Sequence, residues 1–251
     1  MDLTGRVIAV WSQGGGMGKT TTAQTLAEIY ACEWGQPVIL GDADGQCSAS
    51  VRWRRPAEDG ASLFAVLEGR RSIMDVTHRI ANNLLLVPAS AGLYLWEYNE
   101  TGIKALHQAL ASVRSRALVI LDCGPSYTPL TKVSLVAATD LVIPCQPSLD
   151  DLTKLDGLRV TLESLGAQRV NDDLNILGVA LTRCKSRTTL HREAAEYLRN
   201  ESAWPVFDTT ISESVAVQEA VGRGKTIVRY KSWHPVAHQY RALAKEIASV
   251  H

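Results

Sequence analysis

The chain has 251 residues, of which 46% are hydrophobic and 21% charged, as is ordinary for a soluble globular protein. The 26 lysines and arginines balance the 26 aspartates and glutamates, so a bulk attraction to nucleic acid is not predicted. No run approaches the roughly 20 apolar residues of a membrane span, and no signal peptide precedes the first predicted strand. We therefore expect a cytoplasmic protein with no membrane partner.

The first predicted element is a strand over Val7–Trp11, followed by a glycine-rich loop and then a helix from about Thr20 to Trp34. Glycines let backbone N–H groups converge on an anion, and the N-terminus of the helix adds its partial positive charge. Lys19 is the candidate catalytic cation for the β- and γ-phosphates, and the Thr20 hydroxyl is a candidate Mg²⁺ ligand. The predicted nucleotide-binding residues are Gly14, Gly15, Gly16, Met17, Gly18, Lys19, Thr20 and Thr21.

Further short apolar runs alternate with segments of helical length along the chain. The runs are Val38–Leu40, Leu84–Val87, Leu118–Leu121, Leu141–Pro144 and Ile176–Leu181. This alternation predicts an α/β fold with a doubly wound, mostly parallel sheet and helices on both faces. We expect one domain over residues 1–251, with an irregular insertion at Val51–Ile80. The five cysteines have no Cys-x-x-Cys spacing and are predicted to be small core residues.

Acidic side chains follow two of these predicted strands. Asp42 and Asp44 end the second apolar run two residues apart, so both can face the same side of the strand. Asp122 ends the fourth run, in a position suited to holding Mg²⁺ through water. Either aspartate could instead cap a following helix. The order of the three motifs favours the magnesium site.

Four motifs together resemble the ParA/MinD family of deviant P-loop ATPases, nearly end to end. The motifs are Gly15-Gly16-Met17-Gly18-Lys19-Thr20, Asp42-Ala43-Asp44-Gly45-Gln46, Asp122-Cys123-Gly124-Pro125-Ser126 and Glu219-Ala220-Val221-Gly222-Arg223-Gly224-Lys225-Thr226-Ile227. The family has proline where Gly45 stands. By this resemblance Asp44 orients the attacking water, Asp122 and Asp42 belong to the metal site, and Thr21 contacts the α-phosphate.

The resemblance also implies ATP and Mg²⁺ as ligands and an ATP-bound homodimer. It implies nonspecific binding of nucleoid DNA and slow hydrolysis until an adaptor protein of ParB or McdB type stimulates it. The function expected on this basis is plasmid partition, with McdA-like positioning of a protein organelle such as the carboxysome as an alternative. A nucleotide-gated DNA-binding scaffold with little hydrolysis is a further alternative. No N-terminal helix-turn-helix segment is predicted.

The chain departs from the family at Gly14, where members have a lysine that crosses the dimer interface to the partner's phosphates. The candidate replacement is Lys154, on a later helix whose leucines form a core stripe that leaves Lys154 off the buried face. The McdA-type subset resembles this chain in lacking the loop lysine. The alternative is a solvated Lys154 paired with Asp150, four residues earlier, which is worth only a few tenths of a kcal/mol.

Positive charge is concentrated late in the chain. From Leu181 to His251 there are 11 lysines and arginines against 7 aspartates and glutamates. Two clusters are candidate surfaces for polyanions, although solvated charge is the alternative for each residue. The predicted DNA-binding residues are Arg187, Arg183, Lys185, Arg223 and Lys225. Of these, Arg187 matches a family DNA-contact position best.

Overall fold

The computed structural model describes residues 2–97, 102–167, 174–185, 189–201 and 204–250. The strands are β1 Val7–Val10, β2 Val38–Ala43, β3 His78–Ala81, β4 Leu84–Val87, β5 Leu118–Cys123, β6 Asp140–Cys145, β7 Asn175–Cys184 and β8 Val206–Ser212. They form one eight-stranded sheet in the order β3-β4-β2-β5-β1-β6-β7-β8. Every neighbouring pair is parallel except β3 and β4, which are antiparallel.

Helices connect the strands and cover the sheet. They are α1 Lys19–Glu28, α2 Ser48–Arg52, α3 Leu63–Leu67, α4 Ala105–Arg114, α5 Pro129–Ala137, α6 Leu149–Ala167, α7 Thr189–Glu201, α8 Val215–Gly222, α9 Ile227–Tyr230 and α10 Pro235–Ser249. The first helix continues directly into a π-helical turn, Ile29–Glu33, so the helical segment ends close to the predicted Trp34. No helix in the described part of the chain has the length and apolar character needed to cross a membrane.

Alternate residues of the central strands point into two separate cores. In β1 and just after it, Val7, Ala9 and Trp11 pack with α3 to α7, while Ile8 and Val10 pack with α1, α2, α8, α9 and α10. Strands buried on both faces are apolar throughout, which is why the six predicted runs all correspond to strands. The predicted doubly wound, mostly parallel sheet with helices on both faces is confirmed.

The segment predicted to be an irregular insertion, Val51–Ile80, is instead part of the main fold. It contains the end of α2, all of α3 and most of β3. Leu63, Val66 and Ile73 are buried in the first core. The prediction was wrong because helices of five residues are too short to show a 3.6-residue hydrophobic period.

The cysteines are all free, and the prediction that they are core residues holds only in part. Cys123 and Cys145 are buried, Cys47 and Cys184 are half-buried, and Cys32 is exposed. Burial raises the pKa of the Cys145 thiol to about 12, so this thiol stays protonated at neutral pH.

Candidate nucleotide site

The glycine-rich loop joins β1 to α1 at the carboxyl edge of the sheet. Gly14, Gly16 and Gly18 have φ angles of 98°, 80° and 82°, a region that side-chain-bearing residues rarely adopt. The loop is fixed to the end of β5 because the Gly14 N–H donates to the Pro125 carbonyl at 2.9 Å. The loop backbone therefore has the shape that an anion-binding turn requires.

Lys19, the first residue of α1, is 8% exposed and its amine turns back into the loop. Its Nζ donates to the Gly14 carbonyl at 2.5 Å. Burial lowers the pKa of this amine, while the negative charges of Asp122 and Asp44 raise it. The two carboxylates only partly oppose the lowering of the Lys19 pKa, and the amine lies at the mouth of the loop, where a phosphate would bind.

Asp42 and Asp122 lie side by side, since they are register partners on the parallel strands β2 and β5. Asp42 is fully buried, and its Oδ2 accepts from the Ser50 N–H at 2.8 Å and the Ser50 hydroxyl at 2.6 Å. Within the described residues, Asp42 Oδ1 and both oxygens of Asp122 have no hydrogen-bond partner. Buried carboxylate oxygens without partners are costly unless a ligand satisfies them.

The pKa values of Asp42 and Asp122 are both raised, as expected for two buried carboxyls side by side. Burial, together with the neighbouring Asp44 charge, raises the pKa of Asp42 to about 7. Burial and the Asp42 charge raise the pKa of Asp122 well above its ordinary value, and Thr20 and Arg52 oppose that rise. Carboxylate and hydroxyl oxygens are the donors that Mg²⁺ prefers, so Thr20, Asp42 and Asp122 fit a divalent cation.

Asp44 lies just beyond the end of β2, above the end of β5. Its Oδ1 accepts the Gln46 N–H at 2.9 Å, and a Cβ at Gly124 would lie 3.2 Å from the same oxygen. The backbone at Gly45, where the family has proline, packs against Tyr94, whose ring would lie 3.0 Å from an added Cβ. No local sequence pattern indicates this contact.

Three further side chains complete the site, and no local motif identified them as nucleotide-site residues. The Thr182 hydroxyl donates to the Met17 carbonyl at 2.7 Å. Arg183 donates to the Gly16 carbonyl at 2.8 Å and pairs with Glu213 at 3.0 Å. The Arg52 guanidinium donates to the Thr21 hydroxyl at 3.0 Å. All three come from elements far from the loop in sequence, so only the folded chain shows the contact.

These groups surround a cavity of about 480 Å³. Its lining includes the loop residues Gly15 to Thr21 and the more apolar residues Ile211, Val217, Val221 and Tyr240. A pocket of this size, lined by both polar and apolar groups, suits a nucleotide with its charged phosphates and its flat base.

The structure places Lys154 beside Gly14. A Cβ at Gly14 would lie 3.4 Å from Lys154 Cδ and 3.5 Å from its Nζ. The amine pairs with Asp151 at 2.7 Å, and the lysine side chain is 43% exposed. The alternative partner, Asp150, has a side chain outside the described residues. Leu155 and Leu158 are buried as the predicted leucine stripe requires.

The predicted DNA-binding residues lie in different surroundings. Arg183 belongs to the nucleotide pocket, and Lys185 approaches Glu213 at 3.6 Å. Arg187 lies outside the described residues. Arg223 and Lys225 are exposed at the end of α8 and make no salt bridge within the described parts of the chain.

The loop, its lysine and the paired aspartates define a P-loop nucleotide-binding protein. Residues 5–176 match the protein family described as "AAA domain". Over 243 residues the chain is 36% identical to the chromosome-partitioning ATPase Soj of Thermus thermophilus, a match that covers 96% of this chain and 95% of that protein. It is 32% identical to the chromosome partitioning protein ParA of Caulobacter vibrioides, covering 97% and 94%.

Among solved structures, cobyrinic acid a,c-diamide synthase from Mycobacterium smegmatis, with bound ATP analogue and magnesium, has a TM-score of 0.80 at 27% identity. That match covers 96% of this chain and 93% of the synthase chain. The chain belongs to the ParA/MinD family of partition ATPases, as its motifs predicted.

Proposed function

We propose that this protein is an ATP-dependent partition or positioning ATPase that acts as an ATP-bound homodimer on nucleoid DNA in the cytoplasm. Family membership and the loop geometry support ATP as the nucleotide. The partnerless oxygens of Asp42 and Asp122 support a magnesium ion beside it. Bound Mg²⁺ neutralises charge on the phosphate oxygens during transfer.

The other steps of hydrolysis are assigned to individual residues of the chain. Thr20, Asp42 and Asp122 hold the metal, and Asp44, above the end of β5, orients the attacking water. Lys19 neutralises the terminal phosphates from within the loop. Phosphoryl transfer depends mainly on positioning and charge neutralisation, so this small set of groups suffices for ATP hydrolysis.

The observation on which the dimer proposal depends is the position of Lys154. Its side chain fills the space beside Gly14 that a side chain on the loop would otherwise occupy. Its exposed amine lies at the loop mouth, from which it can reach the phosphates of a second subunit. A cation supplied in trans is worth roughly 10³–10⁵ in the rate of related phosphoryl transfers.

Lys154→Ala tests this role in a hydrolysis-blocked Asp44→Ala background. We expect the variant to bind ADP as before but to remain monomeric with Mg-ATP in light scattering, while Lys154→Arg recovers part of the dimer. Arg159→Ala is the charge-matched control on the same helix and should dimerise normally. Dimerisation of Lys154→Ala equal to that of the control would refute the role of Lys154 in dimerisation.

DNA binding is the second part of the proposal, and exposed Arg223 and Lys225 support it. Each phosphate neutralised contributes about −0.9 to the slope of log affinity against log salt. We therefore expect Arg223→Ala/Lys225→Ala to flatten that slope in the ATP state, with Arg70→Ala/Arg71→Ala as the control at the end of α3. An unchanged slope would exclude these two residues from the DNA surface.

An adaptor of ParB or McdB type would stimulate hydrolysis and release the dimer from DNA. The cargo, a plasmid or a protein organelle, depends on that adaptor. A scaffold with negligible turnover is the competing function, favoured by the absence of a loop lysine at Gly14. The ATPase rate with DNA and candidate adaptor present separates the two, because only a partition ATPase is accelerated.

A further inference from the structure

Arg52 is a cation in the nucleotide pocket that no family motif includes. It is the last residue of α2, the short helix that follows Asp42 and Asp44. Two contacts fix this helix. Ser50 donates twice to Asp42, and Gln24 of α1 donates to the Ala49 carbonyl at 3.1 Å. The end of α2 is therefore held against the start of α1.

From this position the guanidinium reaches the phosphate loop. Arg52 Nη1 donates to the Thr21 hydroxyl at 3.0 Å, and both side chains line the 480 Å³ cavity. Within the described residues Arg52 forms no salt bridge, whereas Arg183 is paired with Glu213. A guanidinium has five N–H donors, so Arg52 retains donors for a planar, bidentate contact to an anion.

The position of Arg52 along the phosphate loop indicates which phosphate group of a nucleotide it would contact. Lys19 and Lys154 lie at the Gly14 end of the loop, where a terminal phosphate would bind. Thr21 and Arg52 contact each other where the loop becomes α1, and the next hydroxyl along, that of Thr22, lies 3.5 Å from the Tyr240 hydroxyl. Tyr240 and the apolar residues Val217 and Val221 line the same cavity and suit a nucleoside. A phosphate beside Arg52 is therefore the one joined to the nucleoside.

We propose that Arg52 binds the α-phosphate of the nucleotide in cis. This proposal rests on the proposed nucleotide site but not on dimerisation. Because ADP and ATP share the α-phosphate, Arg52 increases the affinity for both nucleotides equally, unlike Lys154. The ADP-bound monomer then retains its nucleotide without any group from a partner subunit.

The test compares ADP with the two diastereomers of its α-phosphorothioate, in EDTA so that no metal preference contributes. A charged hydrogen bond is worth about 1.5–3 kcal/mol, so Arg52→Ala should bind ADP about 10- to 100-fold more weakly. In the wild-type protein one diastereomer should bind more weakly than the other, because sulfur replaces the contacted oxygen. This preference should fall in Arg52→Ala, because only the expected contact from Thr21 then remains.

Two further variants distinguish a phosphate contact from a structural role. Arg55→Ala removes an exposed arginine three residues later and should keep both the ADP affinity and the diastereomer preference. Arg52→Lys retains the charge without the planar donor pair and should recover only part of the affinity, with thermal melting confirming that each variant is folded. If Arg52→Ala keeps the wild-type preference, Arg52 acts only by positioning Thr21, and the proposal is wrong.

Discussion

The paired aspartates predict that metal–nucleotide binding is coupled to proton release. Burial raises the pKa of Asp42 to about 7 and that of Asp122 well above its ordinary value, so the pair retains a proton near neutral pH in the ligand-free protein. A bound cation requires the carboxylate form, so binding must displace that proton. From Asp42 alone, the affinity for Mg-ADP should be about tenfold weaker at pH 6 than at pH 8.

Isothermal titration calorimetry in buffers of different ionisation enthalpy measures the proton release. The nucleotide also titrates in this range, so the comparison that matters is with Asp42→Asn, in which only the carboxyl is removed. We expect the wild type to release more protons than this variant at pH 7. Equal release from the two proteins would show that Asp42 is already ionised and would contradict the reasoning.

The Asp42 carboxyl should make the ligand-free protein less stable as the pH rises, whereas it makes Mg-ADP binding stronger. Its folded pKa lies above the ordinary value of 3.8, so the native state binds more protons than the unfolded chain between about pH 4 and pH 7. The free energy of unfolding contributed by Asp42 should therefore fall as the pH rises through this window. Urea titrations of ligand-free protein should show a weaker fall in Asp42→Asn.

Three further substitutions test the residues that hold the site in shape. Ser50→Ala removes a donor to Asp42 and leaves the Ala89 N–H without its acceptor at 2.9 Å. We therefore expect the free energy of unfolding to fall by about 2–4 kcal/mol. A fall of less than about 0.5 kcal/mol would refute this expectation. Gly18→Ala should cost about 1–2 kcal/mol because φ is 82°, whereas Gly15→Ala should leave ligand-free stability nearly unchanged. Equal melting temperatures for the two glycine variants would contradict the strained geometry of the loop.

The sequence was sufficient to predict the six central strands and the phosphate loop, but not the sheet edges. Strand β3 (His78–Ala81) is only half-buried, and β8 (Val206–Ser212) is interrupted by three consecutive polar residues, Asp208, Thr209 and Thr210. Neither forms a continuous apolar run, so neither was predicted. Edge strands derive their structure from a single neighbour, which is not visible in the local sequence.

The residues of the site likewise fall into those that the sequence predicts and those that it does not. The loop and the aspartates follow their strands directly, and their spacing places them at one edge of the sheet. Arg52, Thr182 and Tyr94 reach the site only through the packing of α2, the end of β7 and the segment after β4. Local sequence patterns contain no signal for such long-range contacts, so these residues could be found only in the structure.

Asp151 gives the isolated subunit its own counter-ion for the Lys154 amine. When the proposed dimer forms, the Lys154 amine therefore leaves the Asp151 carboxylate for a phosphate of the other subunit, and no unpaired charge is neutralised. The free energy gained is the difference between a carboxylate 2.7 Å away and a phosphate across the interface. In the proposed dimer, loss of the terminal phosphate would shift Lys154 back towards Asp151, so α6 would both complete the assembly and favour its separation.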